Sequence, residues 1–293
     1  AQYYPMDVGA AAILYPERPT PQAVFEQVAR HKPTLFFAVP TAYAQMLAAI
    51  DDGARADFSS VRMCVSAGES LPAPLFARWR EKTGLEICDG IGTTEITHMF
   101  MANAPGACTP GASGRAVPGY DVRIVDEDDN DVGDDEIGDL LVRGDSTMAF
   151  YWNKHERTKA TLFGEWIRTG DKYRRDADGI YWHAGRSDDM LKVSGMWVSP
   201  VEVESALTGH DAVLECAVVG REDEDGLVKP HAYVVLRTAT YDTSELTSEL
   251  QNFVKEQLAP HKYPRWVTVV EELPKTATGK TQRFVLRDEP INA

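Results

Sequence analysis

No run in this 293-residue chain approaches the roughly 20 apolar residues of a membrane-spanning helix, so no membrane segment is expected. Cysteine is sparse. Cys64, Cys88, Cys108 and Cys216 are scattered, with no Cys-x-x-Cys and no histidine pair beside them. That spacing argues against a zinc site or a disulfide framework and leaves reduced packing residues. Positive charge is also short: 30 Lys and Arg stand against 45 Asp and Glu, for a net charge of -15. Such a balance repels nucleic acid phosphates over most of the surface, and no basic stripe offsets it, so no nucleic acid partner is expected. The opening Ala1-Gln2-Tyr3-Tyr4-Pro5-Met6-Asp7 lacks the basic stretch and apolar core of a secretory signal, which points to a cytoplasmic protein.

Hydrophobic residues at 43% and charged residues at 26% are the proportions of an ordinary globular protein. At this length a single core is near its ceiling, and two unequal domains are expected. The first stretch alternates strand-like apolar runs with amphipathic helices, the pattern of an open α/β sheet. Thr20 before Pro21 marks a helix start, with Val24, Phe25 and Val28 on one face. Thr34 to Val39 reads as a strand, Ala42 to Ile50 as a helix, Val61 to Val65 as a strand, and Pro72 to Thr83 as a helix closed by Gly84. Glu86 to Asp89 returns to the sheet. Ser66-Ala67-Gly68-Glu69 and Gly90 to Glu95 then fall in loops after strands, where open α/β sheets bind ligands.

From about Gly114 the texture turns to short β runs at Val122 to Val125, Gly138 to Arg143, Trp166 to Thr169 and Ile180 to Ala184. The acidic run Asp126-Glu127-Asp128-Asp129-Asn130-Asp131 has calcium-loop composition, but Asp131 stands where such a loop needs glycine, and a solvated hairpin turn is expected. Further on, Ser199-Pro200-Val201-Glu202 reads as a capping box, followed by the stripe Val203, Ala206 and Leu207 and a stop at Gly209. Leu214 to Gly220 and Ala232 to Leu236 read as strands, Asp242 to Leu258 as a helix, and Arg265 to Glu271 as a last strand. The expected division is an α/β part over 1–113, a β-rich part over 114–187 and a small α+β domain over 188–293.

Four motifs carry the chemistry: Asp89-Gly90-Ile91-Gly92-Thr93-Thr94-Glu95, Arg168-Thr169-Gly170-Asp171, Gly185 to Gly195, and Pro274-Lys275-Thr276-Ala277-Thr278-Gly279-Lys280. Taken singly, the first is an ordinary Gly-Thr loop, Asp171 and Arg186 are a surface ion pair, and Lys280 is a solvated lysine. Together and in this order they resemble the adenylate-forming enzymes, specifically the acyl-CoA synthetases, along nearly the whole chain. The resemblance implies the C-terminal part of the large acyl-CoA synthetase domain, an α/β sheet with a small β-rich subdomain, followed by a mobile C-terminal domain.

Activating a carboxylic acid with ATP requires a nucleotide site, cations to shield phosphate, and stabilisation of charge as the carboxylate attacks the α-phosphate. The resemblance assigns those parts as follows. Lys280 bridges the incoming carboxylate and the α-phosphate. Thr94 offers a hydroxyl to a phosphate oxygen and Glu95 a carboxylate to Mg²⁺. Ala67, Gly68 and Glu69 form an adenine-contacting turn, with Asp89, Gly90 and Ile91 beside it. Ile91 replaces the aromatic residue usual in the family. Asp171 accepts from the ribose hydroxyls, with Arg186 donating nearby. Asp188 is the hinge, and Lys192, Ser194 and Gly195 line the path of the CoA thiol arm, where Gly195 gives it room.

The form Asp89-Gly90-Ile91-Gly92 and the spacing of His98 after Glu95 resemble the benzoate-type ligases, which implies a compact aryl carboxylate beside Gly92. His98 either closes the end of a benzene-sized pocket or makes a structural hydrogen bond. The family's phosphate loop, Ser/Thr/Gly-rich and ending in Pro-Lys, has no counterpart here, so a missing N-terminal half or a homodimer partner is an expected partner. Three functions follow: a ligase forming aryl-CoA, an incompetent nucleotide- or CoA-binding fragment, and an adenylating enzyme that loads a carrier protein.

Overall fold

The computed structural model describes residues 3–17, 19–238, 243–276 and 280–288. A short helix α1 (Tyr3–Asp7) precedes α2 (Pro21–His31), which starts where Thr20 accepts a hydrogen bond from the Ala23 amide at 3.3 Å. Then β1 (Leu35–Ala38), α3 (Pro40–Asp51), β2 (Met63–Ser66), α4 (Ala73–Thr83) and β3 (Ile87–Gly92) alternate as expected. Their strands pair in parallel in the order β1-β2-β3. Phe58 and Trp79 anchor the core against this sheet with Phe25, Tyr43 and Leu47; the Tyr43 and Phe58 rings meet Trp79 edge-on, at 4.8 and 5.2 Å.

The stretch Gly90 to Glu95 departs from the loop expected of it. Gly90 to Gly92 continue β3, which runs antiparallel to β4 (Met99–Ala102), itself paired with β5 (Arg115–Ala116). A Cβ on Gly90 would stand 2.3 Å from Met99 Cε, and one on Gly92 would stand 2.4 Å from the His98 carbonyl oxygen. These glycines therefore let two strands close on each other. Only after Gly92 does the chain leave the sheet, through a 3-10 turn at Thr94–Ile96.

The second sheet is antiparallel throughout. It comprises β6 (Tyr120–Val125), β7 (Gly138–Gly144), β8 (Leu162–Phe163), β9 (Trp166–Arg175) and β10 (Tyr181–Arg186) in the order β10-β9-β7-β6, with β8 on β9 and helix α5 (His155–Thr161) before it. The acidic run is the expected turn: Asp126 Oδ1 accepts from the amides of Asp128 and Asn130 at 2.9 Å each. Among the described residues no cluster of metal-ligating side chains occurs, there or elsewhere.

The C-terminal part opens with the hairpin β11 (Leu191–Val193) and β12 (Met196–Val198), then α6 (Pro200–Leu207), β13 (Val213–Glu222), β14 (Val228–Leu236), α7 (Thr243–Gln257), β15 (Trp266–Val269) and α8 (Arg283–Asp288). β13 and β14 are antiparallel, β14 and β15 parallel, and Val203, Leu207, Leu246, Leu250 and Val254 bury the helices on them. Ser199 caps α6 by accepting from the Glu202 amide at 3.1 Å. The Glu202 carboxylate does not complete the box; it holds the Lys262 ammonium at 2.7 and 2.8 Å. The stop comes at Thr208, one residue before Gly209, and the expected helix start at Asp242 lies outside the described residues. Two cysteines scattered in sequence meet in space, Cys88 and Cys108, with sulfurs 3.7 Å apart. No helix among the described residues is long and apolar enough to cross a membrane.

Candidate active site

A cleft of about 1390 Å³ opens where both sheets face the C-terminal part. Gly68 and Glu69 reach it from the turn after β2, and Asp89 to Glu95 from β3 and the turn beyond. Asp171 on β9, Arg186 at the end of β10 and Lys280 ahead of α8 complete the set. Eleven sequence-identified residues thus share one lining, counted as Gly68, Glu69, Asp89, Gly90, Ile91, Gly92, Thr94, Glu95, Asp171, Arg186 and Lys280. Ala67, His98, Asp188, Lys192, Ser194 and Gly195 lie outside it.

Asp171 and Arg186 face each other across the β9–β10 ladder, and the guanidinium donates to Asp171 Oδ1 at 3.3 Å. Asp171 is buried, 5% exposed, whereas the Arg186 side chain is 49% exposed, so the pair joins a shielded carboxylate to a guanidinium at the solvent edge. His183 comes to the same carboxylate oxygen at 3.6 Å, and its other ring nitrogen meets Ser70 Oγ at 2.6 Å. Gly170 makes the arrangement possible: it sits at φ +77, and a Cβ there would stand 3.0 Å from Arg186 Nη2. His183 and Ser70 escaped the sequence reading because they lie 113 positions apart.

Glu95 is fixed by Tyr151, whose hydroxyl donates to Oε1 at 2.5 Å, while the Arg157 guanidinium lies over the Tyr151 ring at 4.4 Å. Burial pushes the Glu95 carboxyl up, but hydrogen bonds from Tyr151, from the Glu95 backbone and from Thr93, with the Arg157 charge adding last, outweigh it, and the group ends below its ordinary value. It is therefore an ionised oxygen donor at neutral pH. Asp89 is the opposite case. Burial raises its carboxyl to about 7, and Oδ1 has no hydrogen-bond partner among the described residues.

Lys280 is exposed and enters from the C-terminal side. Its stem crosses Gly68, whose φ of +101 turns the backbone away; a Cβ there would lie 3.2 Å from Lys280 Cε and 3.9 Å from Nζ. The Thr276 amide donates to the Lys280 carbonyl at 2.8 Å, and the Lys280 amide donates to Thr276 Oγ1 at 3.1 Å. Ala277, Thr278 and Gly279 of the motif lie outside the described residues.

The residues outside the cleft form two groups. His98 uses both ring nitrogens, Nδ1 with the Met99 carbonyl at 2.7 Å and Nε2 with the Tyr120 hydroxyl at 3.1 Å. Ser194 and Gly195, at φ 52 and 82, make the two-residue turn of the β11–β12 hairpin, and such turns need positive φ at both positions. A Cβ on Gly195 would meet nothing within 4 Å, so backbone conformation already accounts for that glycine. Lys192 lies over the Trp197 ring at 5.6 Å on the same hairpin. Asp188, 77% exposed, joins it to Arg186.

A model of AMP-binding enzymes matches residues 1–152, and a model of the AMP-binding enzyme C-terminal domain matches residues 202–280. The chain belongs to the AMP-binding enzyme family. This AMP-binding enzyme is 50% identical over 291 residues to the 4-hydroxybenzoate–CoA/benzoate–CoA ligase of Rhodopseudomonas palustris, covering 98% of this chain and 54% of the relative. It is 52% identical over 285 residues to the benzoate–CoA ligase of Thauera aromatica, covering 97% and 54%. A crystal structure of an anthranilate CoA ligase in complex with anthranoyl-AMP superposes with a TM-score of 0.94 at 48% identity, covering 97% of this chain and 55% of that one. The chain spans about half the length of the curated relatives it matches.

Proposed function

We propose that the chain carries the adenylate-forming site of an ATP-dependent acid–thiol ligase that makes aryl-CoA from benzoate or a related compact aryl acid. The observation that carries the reading is the convergence of Lys280, Asp171–Arg186 and Glu95 on one cleft from three separate parts of the sequence. Relatives named for benzoate and hydroxybenzoate support the acid class. The cytoplasm is the proposed compartment of action.

In the proposed mechanism the nucleotide lies across the cleft. Asp171, held by Arg186, accepts hydrogen bonds from the ribose hydroxyls, and Gly68 and Ile91 flank the base. The acid carboxylate attacks the α-phosphorus, the bond to the departing pyrophosphate breaks, and the acyl-adenylate forms. Lys280 donates to the oxygens between which negative charge builds, an electrostatic role suited to a lysine on a mobile stem. Thr94 offers its hydroxyl to a phosphate oxygen. Mg²⁺ suits the site, because it binds through one or two carboxylates plus substrate phosphates, and Glu95 is ionised and oriented to hold it. Once bound, the ion neutralises phosphate charge.

In the second step the CoA thiol attacks the acyl carbonyl, AMP leaves, and the thioester forms. Lys192, Ser194 and Gly195 stand outside the cleft in the present arrangement, so their proposed contact with the thiol arm requires the C-terminal part to turn about Asp188. Gly92 and His98 are proposed to bound the acid; the hydrogen bonds of both His98 ring nitrogens support a wall more than a chemical group. Pyrophosphate release with ATP, Mg²⁺ and benzoate tests the reading, using the 293-residue chain beside a version extended upstream to the length of the relatives. Release by the extended form that depends on benzoate supports it. Absence of release with every aryl acid tried refutes it.

A further inference from the structure

Glu69 stands beside the proposed adenine site, yet its carboxylate is engaged elsewhere. Oε1 accepts a hydrogen bond at 2.8 Å from the amide of Thr281, the residue directly after Lys280. Oε2 accepts from the Thr41 hydroxyl at 3.2 Å, which fixes the other end of the group to α3. The first of these bonds spans 212 positions of sequence and joins the turn after β2 to the C-terminal part. Its acceptor is charged and half-buried, which places it among the stronger hydrogen bonds.

The surroundings give the bond leverage. Lys275 and Thr281 form an isolated antiparallel bridge, and the Gln282 amide donates to the Pro274 carbonyl at 2.8 Å, so the chain that follows Lys280 is paired with the chain that precedes its motif. Two residues past Thr281, Arg283 pairs with Glu204 at 2.8 Å, which ties α8 to α6. Glu69 supplies the attachment of Thr281 to the opposite wall. One residue before Glu69, Gly68 clears the path of the lysine stem.

We infer that Glu69 is a positioning residue for Lys280: by accepting the Thr281 amide it holds the lysine across Gly68 in the adenylating arrangement. The inference rests on the proposed role of Lys280 and assigns Glu69 a different task from base contact. A hydrogen bond to a charged group contributes about 1.5–3 kcal/mol, so its loss corresponds to roughly 10- to 100-fold in a step that needs the lysine in place. The carboxylate acts as an acceptor here, so a glutamine keeps the function by presenting its amide oxygen to Thr281 and its NH₂ to Thr41.

The test uses the enzyme extended upstream to the length of its relatives and measures two half-reactions separately: pyrophosphate release with benzoate, and thioester formation from supplied benzoyl-adenylate and CoA. Glu69→Ala is expected to slow the first by about 10- to 100-fold and to leave the second near its parent rate, which also shows the variant is folded. Glu69→Gln is expected to recover most of the loss. In a Lys280→Ala background, Glu69→Ala is expected to add less than about twofold, because two residues acting through one group are not additive. A further loss in that background, with a raised KM for ATP, would mean that Glu69 binds the nucleotide, and the inference would be wrong. Equal losses in both half-reactions would also overturn it. If Lys280→Ala itself leaves pyrophosphate release intact, the role of the lysine fails first and takes this inference with it, whereas a loss with Lys280→Ala but none with Glu69→Ala rejects Glu69 alone.

Discussion

The aliphatic stem of Lys280 runs over Gly68, with Cε 3.2 Å from the point a Cβ of residue 68 would occupy. The glycine answers two demands, a φ of +101 that side chains rarely adopt and space for the lysine. Gly68→Ala is expected to cost roughly 1–2 kcal/mol of stability through backbone strain and to slow pyrophosphate release more than thioester formation. Urea unfolding and the two half-reaction rates check this. A variant with parent stability and parent pyrophosphate release would show that the contact has no consequence.

Asp171 is buried and accepts a hydrogen bond from Arg186, so its carboxylate is already oriented. Asp171→Ala is expected to raise KM for ATP by at least about tenfold, the loss associated with a charge-assisted hydrogen bond, while KM for the aryl acid changes little. Steady-state kinetics with each substrate varied in turn distinguishes the two. An effect on the acid alone would place the residue outside the nucleotide site.

Asp89 ties stability to pH. Its carboxyl is raised by burial from 3.8 to about 7, so the folded chain binds more protons than the unfolded chain between those values. The protonated group's contribution is fully present below the unfolded value and is lost as pH rises through about 7. Asp89→Asn removes the ionisation and is expected to gain about 2–3 kcal/mol relative to the parent between roughly pH 5 and pH 8. Urea titrations at both pH values measure it, and a gain that shrinks with rising pH contradicts the assignment.

His231 acts in the other direction. Burial, then the nearby Arg221 charge, lowers its imidazole from 6.5 to about 4, and Nδ1 has no hydrogen-bond partner among the described residues. The unfolded chain therefore binds more protons between those values, and the contribution of the neutral ring is lost as pH falls through about 6.5 toward 4. His231→Gln is expected to abolish a destabilisation of about 2 kcal/mol that the parent suffers between roughly pH 7 and pH 5. Trp266, whose ring centroid lies 5.9 Å from that of His231, is a fluorescent reporter for the unfolding of this part. An unchanged pH profile in the variant would rule out His231 as the source.

The alternating helices and strands of the first part were legible because each pairs an apolar period with a local start or stop, such as Thr20-Pro21 at one helix or Gly84 at another. The cleft's main residues were legible too, since they lie within short motifs. What sequence could not supply was register. The β9–β10 pairing runs from Arg175 opposite Tyr181 to Asp171 opposite Arg186 only because the ladder shifts by one residue between His183 and Gly185. Without that bulge Asp171 would face Gly185, and a one-residue slip is invisible in composition. Contacts that cross between distant parts were equally hidden, including Tyr151 with Glu95 and Glu69 with Thr281. The glycines at 90 and 92 meet a neighbouring strand, a partner that the motif itself does not contain.

The most direct test of the account is Lys280→Ala in the enzyme extended to the length of its relatives, assayed in both half-reactions with benzoate, ATP, Mg²⁺ and CoA. The account predicts that pyrophosphate release falls by about 100-fold or more, the scale of losing a single electrostatic catalytic group, while supplied benzoyl-adenylate is converted to the thioester at close to the parent rate. Losses of equal size in the two steps, or undiminished pyrophosphate release, would contradict it.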